Sequence, residues 1–503
     1  PLSLSSLFRN KREETEPSVF PLKMAPSKFP LLCFSLCLIF LSFPPPTFQQ
    51  IFLPLTHSLS KAQFNPTHHL LKSTADTSAA RHQRRRQVSL PLSPGSDYTL
   101  TFSLNSQPIS VYMDTGSDVV WFPCSPFTCI LCEGKGSLSP LNVSKSSLIS
   151  CKSRACSAIH PSLSSSDLCA IASCPLDEIE TSDCSNFACP SFYYAYGDGS
   201  LIAQLHRDDL IMPSSSKKPL ILKNFTFGCA HSALGEPIGV AGFGFGPLSL
   251  PAQLARFSPD LGTQFSYCLI SHSFHATKLR HPSPLILGKY KEKVSSGISH
   301  SGFVYTPMLD NPKHPYFYSV GLDSIWVGTR RIPAPENLKR VDGRGNGGVV
   351  VDSGTTYTML PSELYNSVVA ELDRLLSRVL NRASEIESST GLSPCYYMEE
   401  VSQVASLDRA VPSLVLEFRG NSSVVLPRRN YFYEFTDGGD KRTRRRVGCL
   451  MMMDGGDETE SGPGATLGNY QQQGFEVVYD LEMKRVGFAR RKCASLWDSL
   501  NRR

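Results

Sequence analysis

Two short acidic motifs constrain the fold of this chain more than any other feature. Asp114 opens the tetrapeptide DTGS within VYMDTGSDVVWF, and Asp352 opens DSGT within VVVDSGTTYTML. The β-branched residues before each acid and the glycine after it are typical of a strand, a turn and a second strand. We therefore expect each acid at the end of a strand, where the two can face each other across a two-fold axis.

Two carboxylates in such an arrangement can carry out acid-base chemistry. Like charges at close range raise one apparent pKa, so such a pair holds one shared proton over an acidic range. The ionised aspartate can then take a proton from water while its protonated partner hydrogen-bonds the carbonyl under attack. This chemistry requires neither a metal nor a cofactor. The competing interpretation is two unrelated glycine turns with exposed carboxylates.

The residues that follow each acid are candidates for organising the pair. The glycines let the backbone approach the carboxylates closely. The hydroxyls of Ser117 and Thr355 can donate hydrogen bonds to the outer carboxylate oxygens. The predicted dyad-organising residues are Thr115, Gly116, Ser117, Ser353, Gly354 and Thr355.

Several segments outside the two motifs carry a family resemblance. Trp121 follows the first acid, and residues 193–200 read YYAYGDGS. Two apolar stretches end in glycine, at Gly242 and Gly468, and the closing segments read FEVVYD and RVGFA. In this order, from about residue 96 to 493, they make the chain similar to the pepsin-like aspartic proteases (peptidase family A1), in the plant nepenthesin-like, atypical branch.

The resemblance implies a mostly β, bilobal pepsin-like fold with an active-site cleft between two related lobes. It implies an aspartic endopeptidase that hydrolyses polypeptides at acidic pH through Asp114 and Asp352. The flap would bind substrate through Tyr196, Gly197 and Asp198, with Tyr196 hydrogen-bonding towards Trp121. Because both halves of the site lie in one chain, the expected active form is a monomer.

The domain organisation follows from length and from the positions of these motifs. We expect an N-terminal lobe over 88–267, with a Cys-rich insertion at 124–189 and a flap near 193–200. After the N-terminal lobe we expect an inter-lobe segment at 268–315, a C-terminal lobe at 316–493 and a tail at 494–503. Short apolar runs broken by Gly, Pro and Ser predict strands at 98–104, 220–227, 301–306, 317–327 and 411–418. Apolar residues at helical spacing predict one helix after Pro361, through Leu380.

The first 87 residues differ from the rest in composition. Met24 is the first methionine, so 1–23 are expected to be a non-native or untranslated leader. The apolar run 29–43 after Lys28 predicts a signal peptide at 24–46, with a signal anchor as the alternative. The polar stretch 47–87 ends in RHQRRR and predicts a propeptide, with a disordered linker as the alternative.

Charge supports this division and argues against nucleic-acid binding. The chain carries a net charge of +6, but residues 1–87 hold 11 basic and 4 acidic residues. The remaining 39 basic and 40 acidic residues balance to −1. The predicted mature protein therefore lacks the basic excess of a nucleic-acid-binding domain. The resemblance implies polypeptide substrates as partners, and no stable membrane insertion is expected.

Cysteine usage predicts an oxidising compartment. Of 16 cysteines, 14 lie beyond the signal, nine of them between Cys124 and Cys189. Because nine is odd, Cys229 is the expected tenth, which gives five disulfides in the first lobe and two among the remaining four cysteines. The resemblance implies the pairs Cys268–Cys493 and Cys395–Cys449. A zinc site at the CxxC of Cys129 is the less favoured alternative in a secreted chain.

Secretion agrees with three sequons for N-glycosylation, at Asn142, Asn224 and Asn421. The saposin-like insertion of typical plant vacuolar aspartic proteases is missing from the second lobe. We therefore expect a secreted, extracellular or apoplastic protein, with the vacuole or plastid as alternatives. The rival function is a non-catalytic binding or inhibitor protein on the same fold, as in some secreted plant relatives of this family.

Overall fold

The computed structural model describes residues 51–57, 98–104, 106–132, 139–144, 147–196, 199–213, 219–270, 283–288, 302–398, 411–437, 444–456 and 462–501. All of them lie in one compact unit of the chain, residues 48–503. The predicted leader and signal peptide lie outside the described residues, as do most of the predicted propeptide and Gly197 and Asp198 of the flap. No helix in these described segments is long and apolar enough to cross a membrane.

Alternation of apolar and polar residues produces the first strands. The strands of the first half are β1 (Ile51–His57), β2 (Tyr98–Leu104), β3 (Gln107–Asp114), β4 (Val120–Ile130), β5 (Phe192–Ala195), β6 (Ser200–Met212), β7 (Leu220–Leu234), β8 (Gly239–Gly242), β9 (Phe265–Cys268) and β10 (Ser283–Leu287). In β2, Leu100, Phe102 and Leu104 are buried while Thr101 and Ser103 are partly exposed, as expected when alternate side chains face opposite sides of a sheet.

The strands of the N-terminal lobe form a mixed sheet around β3, β4 and β8. β2 and β3 form an antiparallel hairpin, and β8 runs parallel to β3 and antiparallel to β4. The long pair β6 and β7 continues the sheet through β4, and β5 closes the flap hairpin against β6. The strand that ends on Asp114 therefore lies inside the sheet, with neighbours on both sides.

The second half is also rich in strands, and the expected mostly β, two-lobed fold is confirmed. Its strands are β11 (Val304–Leu309), β12 (Ser319–Val320), β13 (Leu322–Val327), β14 (Arg330–Pro333), β15 (Val349–Val351), β16 (Thr358–Leu360), β17 (Asn381–Arg382), β18 (Cys395–Tyr397), β19 (Leu414–Phe418), β20 (Ser422–Leu426), β21 (Phe432–Asp437), β22 (Arg445–Leu450), β23 (Met452–Asp454), β24 (Ala465–Leu467), β25 (Phe475–Asp480) and β26 (Arg485–Arg490). β15, β16, β23 and β24 form the sheet under Asp352. Two four-stranded sheets, β14-β13-β19-β20 and β17-β18-β22-β21, complete this lobe.

A six-stranded sheet links the lobes in the order β1-β10-β9-β25-β26-β11. Its edge strand β1 lies within the predicted propeptide and pairs with β10 over five positions. Leu53 and Leu55 of β1 are buried in the main hydrophobic core. Residues 51–57 are thus part of the folded body of the full chain, a role that their polar surroundings in the sequence did not suggest.

The described helices are short, except for one. They are α1 (Arg154–Ile159), α2 (Ser165–Ile171), α3 (Leu176–Thr181), α4 (Leu250–Phe257), α5 (Glu336–Lys339), α6 (Ser362–Leu376), α7 (Ser384–Thr390), α8 (Asn469–Gln472) and α9 (Cys493–Asn501), with 3₁₀ turns at Pro259–Leu261 and Arg428–Asn430. α6 is the helix predicted after Pro361. The prediction was one turn too long, because Ser377 caps the helix and Val379 is exposed.

The Cys-rich insertion contains α1, α2 and α3, which the sequence did not predict. Its local core consists of cysteines, namely Cys151, Cys169, Cys174 and Cys184. Two disulfides, Cys151–Cys169 and Cys174–Cys184, join them. The helices are therefore held by cross-links rather than by a large apolar face, which explains why hydrophobic periodicity failed to reveal them.

Candidate active site

Each acid of the two motifs is placed by an interior strand. β3 ends on Asp114, in register with Gly242 of the parallel strand β8. The amide of Phe243 donates to the Asp114 carbonyl at 2.7 Å. β15 ends directly before Asp352, whose amide donates to the carbonyl of Leu467 in β24 at 3.1 Å. The two stretches that end in Gly242 and Gly468 therefore lie beside the strands that carry the acids.

Four crosswise hydrogen bonds join the two acid loops. Thr115 Oγ1 donates to the Val351 carbonyl at 3.1 Å and accepts from the Ser353 amide at 2.8 Å. Ser353 Oγ donates to the Met113 carbonyl at 3.0 Å and accepts from the Thr115 amide at 3.1 Å. The arrangement is symmetric, since each hydroxyl bridges the residues immediately before and after the acid of the opposite loop. These four hydrogen bonds fix the distance between the two acid loops.

The carboxyl groups lie close together and shielded from water. Asp114 and Asp352 are 6% and 8% exposed. The amides of Gly116 and Gly354 donate to Oδ1 of the acid two residues earlier, at 2.9 Å and 2.8 Å. A Cβ at Gly116 would lie 3.0 Å from the Asp352 carboxyl atoms. The first loop therefore approaches the second carboxyl so closely that only glycine fits without displacement.

The two flanking hydroxyls differ in their contacts. Thr355 Oγ1 donates to Asp352 Oδ2 at 2.6 Å, as the sequence led us to expect. Ser117 Oγ is buried but has no hydrogen-bond partner among the described residues. Instead, the Ser117 carbonyl accepts from the amide of Gly244 at 2.7 Å. The expected contact between the Ser117 hydroxyl and Asp114 is thus not present, and the two halves of the site are not identical.

A polar network behind the dyad was missed by sequence reasoning. Gln472 Nε2 donates to the Asp352 carbonyl at 3.0 Å. The hydroxyl of Tyr267 hydrogen-bonds Gln472 Oε1 and lies 2.8 Å from the hydroxyl of Tyr479. Tyr479 in turn donates to the Val351 carbonyl at 3.3 Å. Burial, with a smaller effect of neighbouring Tyr479, raises the pKa of Tyr267 well above its usual value, so it remains a neutral donor.

This network could not be found in the sequence because its members come from different lobes. Tyr267 lies on β9 and Tyr479 on β25, which pair antiparallel in the linking sheet. Only the register of that pairing brings the two hydroxyls together. Asn469 adds a further support, since its Nδ2 donates to the Ser353 carbonyl at 2.9 Å.

The flap hairpin, β5 and β6, contacts the strand that follows the first acid. Trp121 is fully buried on β4, and its Nε1 donates to the hydroxyl of Tyr196. Tyr196 follows β5 directly and is half-buried. The structure therefore brings together Trp121 and Tyr196, the two flap-associated residues whose placement is described.

The remaining sequence candidates lie away from the carboxyl pair. Seven disulfides join the 14 cysteines of the body, among them Cys268–Cys493 and Cys395–Cys449. The connectivity that the sequence left open is Cys124–Cys229, Cys129–Cys132, Cys151–Cys169, Cys156–Cys189 and Cys174–Cys184. Asn142, Asn224 and Asn421 are all exposed, so each is accessible to a modifying enzyme.

One group of side chains has metal-ligand spacing. Cys156, His160 and Cys189 bring their ligand atoms within 4.8 Å of one another. However, Cys156 and Cys189 are bonded to each other, and a disulfide offers no thiolate to a metal. These residues therefore do not fit a metal centre in the oxidised protein.

Two family models match the chain in the order of the two lobes. Residues 98–289 match the model described as "Xylanase inhibitor N-terminal", and residues 317–490 match "Xylanase inhibitor C-terminal". Together they cover most of the described body, including both acid loops.

Curated relatives and solved structures agree with these matches. A probable aspartyl protease of Arabidopsis thaliana is 57% identical over 482 residues, covering 90% of this chain and 94% of the relative. The aspartic proteinase nepenthesin-1 of Nepenthes gracilis is 30% identical, covering 79% of this chain and 78% of its own. The crystal structure of EDGP superposes with a TM-score of 0.59 at 18% identity, covering 90% of this chain and 98% of EDGP. Basic 7S globulin from soybean gives 0.57 at 18% identity, covering 89% and 99% of the two chains.

Proposed function

Because the chain belongs to the plant A1 family of aspartyl proteases, in its nepenthesin-like branch, we propose that it is an aspartic endopeptidase that hydrolyses peptide bonds at acidic pH. Asp114 and Asp352 are its catalytic residues. The observation that carries the proposal is the set of crosswise hydrogen bonds through Thr115 and Ser353, which holds both carboxyls at one point between the lobes.

The reaction needs one proton shared by the two carboxyl groups. The ionised aspartate removes a proton from a water molecule as the water oxygen attacks the substrate carbonyl carbon, and the protonated aspartate gives its proton to the carbonyl oxygen. The tetrahedral diol then breaks its C–N bond. The leaving amine takes the proton gained from water, while a diol hydroxyl returns a proton to the other aspartate. The dyad ends as it began, with a single proton.

The environment of the pair favours this chemistry. Burial excludes competing water from the carboxyls, and backbone amides fix their orientation without contributing a charge of their own. Thr355 holds one outer oxygen of Asp352. Positioned acid and base groups of this kind account for rate gains of about 10²–10⁴ each.

The substrate would lie in an extended conformation between the lobes. Phe245, two residues beyond Phe243 at the first acid loop, is 57% exposed. The amide of Phe245 donates to the carbonyl of Tyr316 in the second lobe, so residues of both lobes meet beside the first acid loop. Bulky apolar side chains of a substrate would cover this exposed phenyl ring. The ring therefore supports a preference for such side chains near the scissile bond.

A non-catalytic binding function is the rival proposal. It is favoured by the description of the two matching family models as xylanase inhibitor domains. Against it stands the intact pair of buried carboxyls. A protein that only binds its partner through another surface has no use for a dyad assembled in this way.

We propose that the protein works in the secretory pathway or outside the cell. Seven disulfides in the described body support this location, because reducing compartments do not sustain such a framework. The basic stretch that ends at Arg86 is the proposed site of propeptide cleavage.

The test of the proposed function combines cleavage with inhibitor binding. Refolded protein is incubated with a peptide library between pH 3 and 7, in the presence and absence of a statine-type transition-state mimic. We expect cleavage at acidic pH that the mimic abolishes, since a working dyad binds such a compound far more tightly than substrate. Correctly folded protein that neither cleaves nor binds the mimic would favour the rival.

A further inference from the structure

A third carboxyl group lies beside the dyad and contacts the flap. Asp118 is the residue directly after the first acid motif and is half-buried. Its Oδ1 accepts a hydrogen bond from the hydroxyl of Tyr194 at 3.1 Å. Tyr194 belongs to β5, the first strand of the flap hairpin. The contact therefore joins the loop that carries Asp114 to the strand that leads into the flap.

The flap strand is attached at two points on one face. Residues two apart on a strand point to the same side, so Tyr194 and Tyr196 both face the acid loop while Tyr193 is exposed. Their ring centroids lie 5.2 Å apart. Tyr196 accepts from Trp121 at one point, and Tyr194 donates to Asp118 at the other. Two contacts fix both the position and the direction of a strand, whereas a single contact leaves it free to pivot.

The fold leaves space for this carboxyl at one specific place. A Cβ on Gly246 would lie 2.0 Å from Asp118 Oδ2, so a side chain there would displace the carboxyl. Gly244, in the same loop, donates its amide to the Ser117 carbonyl at 2.7 Å. Asp118 is thus confined between the loop at 244–246 and β5, with its second oxygen against Gly246.

The described groups that face Asp118 are tyrosines. Tyr194 and Tyr196 approach from the flap side, while Tyr316 and Tyr318 of the second lobe interact electrostatically with Tyr194 and with Asp118, respectively. Among the described residues, no Lys or Arg forms an ion pair with Asp118. Burial raises the pKa of Asp118 above its usual value, and the hydrogen bond from Tyr194 offsets part of that rise. The Asp118 carboxyl therefore binds its proton at a higher pH than an exposed aspartate does.

We propose that Asp118 is a positioning residue that holds the flap strand over the dyad through the hydroxyl of Tyr194. This inference deepens the proposed function and rests on it. The contact is a charge-assisted hydrogen bond when Asp118 is ionised and a neutral one when it is protonated. The flap is therefore held more firmly as the pH rises through the titration of Asp118.

The test uses two readouts, one of which needs no activity. Hydrogen exchange is followed in β5 by mass spectrometry, and kcat and KM are measured on a long peptide substrate. The variants are Asp118→Ala, Asp118→Asn, Tyr194→Phe and the double variant Asp118→Ala/Tyr194→Phe. Asp183→Asn, on the exposed surface of the Cys-rich insertion, is the matched control. Exchange in the β25–β26 hairpin reports whether the rest of the fold is intact.

We expect Asp118→Ala and Tyr194→Phe each to speed exchange in β5 and to lower kcat/KM about tenfold, the effect that one hydrogen bond to a charged group commonly supports. The larger change falls on KM, because flap closure binds substrate. The double variant should be no worse than Tyr194→Phe alone, since that variant already removes the contact with the Asp118 carboxyl. Asp118→Asn keeps an acceptor for Tyr194, so it should retain β5 protection but lose the part of the pH dependence of KM that Asp118 supplies.

The outcomes separate the inference from the proposed function. Unchanged exchange and kinetics in Asp118→Ala would overturn the positioning role even if the wild type cleaves peptides. Faster exchange in β5 together with a wild type that never cleaves would support the contact and refute the protease assignment. Additive losses in the double variant would show that Asp118 and Tyr194 act separately, which also contradicts the inference.

Discussion

The crosswise hydrogen bonds between the acid loops make a quantitative prediction for Thr115→Val. Valine has nearly the shape of threonine, so the substitution removes a hydroxyl without opening a cavity. The buried Ser353 amide loses its acceptor, and the Val351 carbonyl loses a donor. An unsatisfied buried polar group costs about 1–3 kcal/mol, and a lost hydrogen bond about 1 kcal/mol net. We therefore expect the free energy of unfolding to fall by about 2–4 kcal/mol.

The symmetry of the site extends this prediction to the other loop. Ser353→Ala removes the acceptor of the Thr115 amide and the donor to the Met113 carbonyl, so it should cost about as much, ~2–4 kcal/mol. Urea unfolding followed by circular dichroism at pH 6 measures both values. Ser388→Ala is the matched control, because Ser388 is exposed and its hydroxyl bonds only within its own helix.

The activity of these variants tests the same reasoning independently. Both should cleave peptides more slowly than the control even at temperatures where they remain folded, because the carboxyls lose their fixed separation. A loss of stability no larger than that of Ser388→Ala would refute the argument that these hydroxyls hold the two loops together.

Two further predictions concern parts of the fold outside the dyad. Burial, with a smaller effect of neighbouring His231, lowers the pKa of His206 from 6.5 to about 4. Between these two values the unfolded chain binds more protons than the folded protein, so the free energy of unfolding should fall as the pH drops from about 6.5 to 4. We expect a fall of about 2 kcal/mol after allowance for partial solvent screening. His206→Gln, which keeps a polar partner for the Ser147 hydroxyl 2.7 Å away, should lose less stability over that range in urea unfolding, and equal losses would contradict the assignment. In β1, Leu55→Ala should lower the free energy of unfolding of the full chain by about 2–4 kcal/mol. The control Val425→Ala, at an exposed strand position, should change it by less than about 0.5 kcal/mol. If both variants had similarly small effects, β1 would not belong to the stable core.

The acid loops were predictable because their geometry is local. Asp114 and Asp352 each follow an apolar run and stand two residues before a glycine, and this local pattern is typical of a strand and a turn. Their meeting across the two lobes followed from the duplication of the motif. The hydrogen bond from Thr355 also lies within three residues of its partner, which is why sequence reasoning found it.

The polar network behind the dyad was not predictable, because its residues come from distant parts of the chain. Tyr267 and Tyr479 meet only through the register of β9 and β25, and no local pattern specifies that register. The Ser117 hydroxyl shows the converse, since a correct motif did not ensure the expected contact. The helices of the Cys-rich insertion were not predicted for a third reason. Disulfides hold them in place, so their sequences lack the apolar periodicity on which helix prediction depends.

The measurement that tests the central claim most directly compares Asp114→Asn and Asp352→Asn with Asp183→Asn in the same peptide-cleavage assay. Asparagine keeps the shape of the side chain but can neither share the proton nor take one from water. We predict that each dyad variant loses at least about a thousandfold in kcat while remaining folded, and that the control cleaves at the wild-type rate. Persistent acid cleavage by either dyad variant would contradict the claim that Asp114 and Asp352 act together on one water molecule.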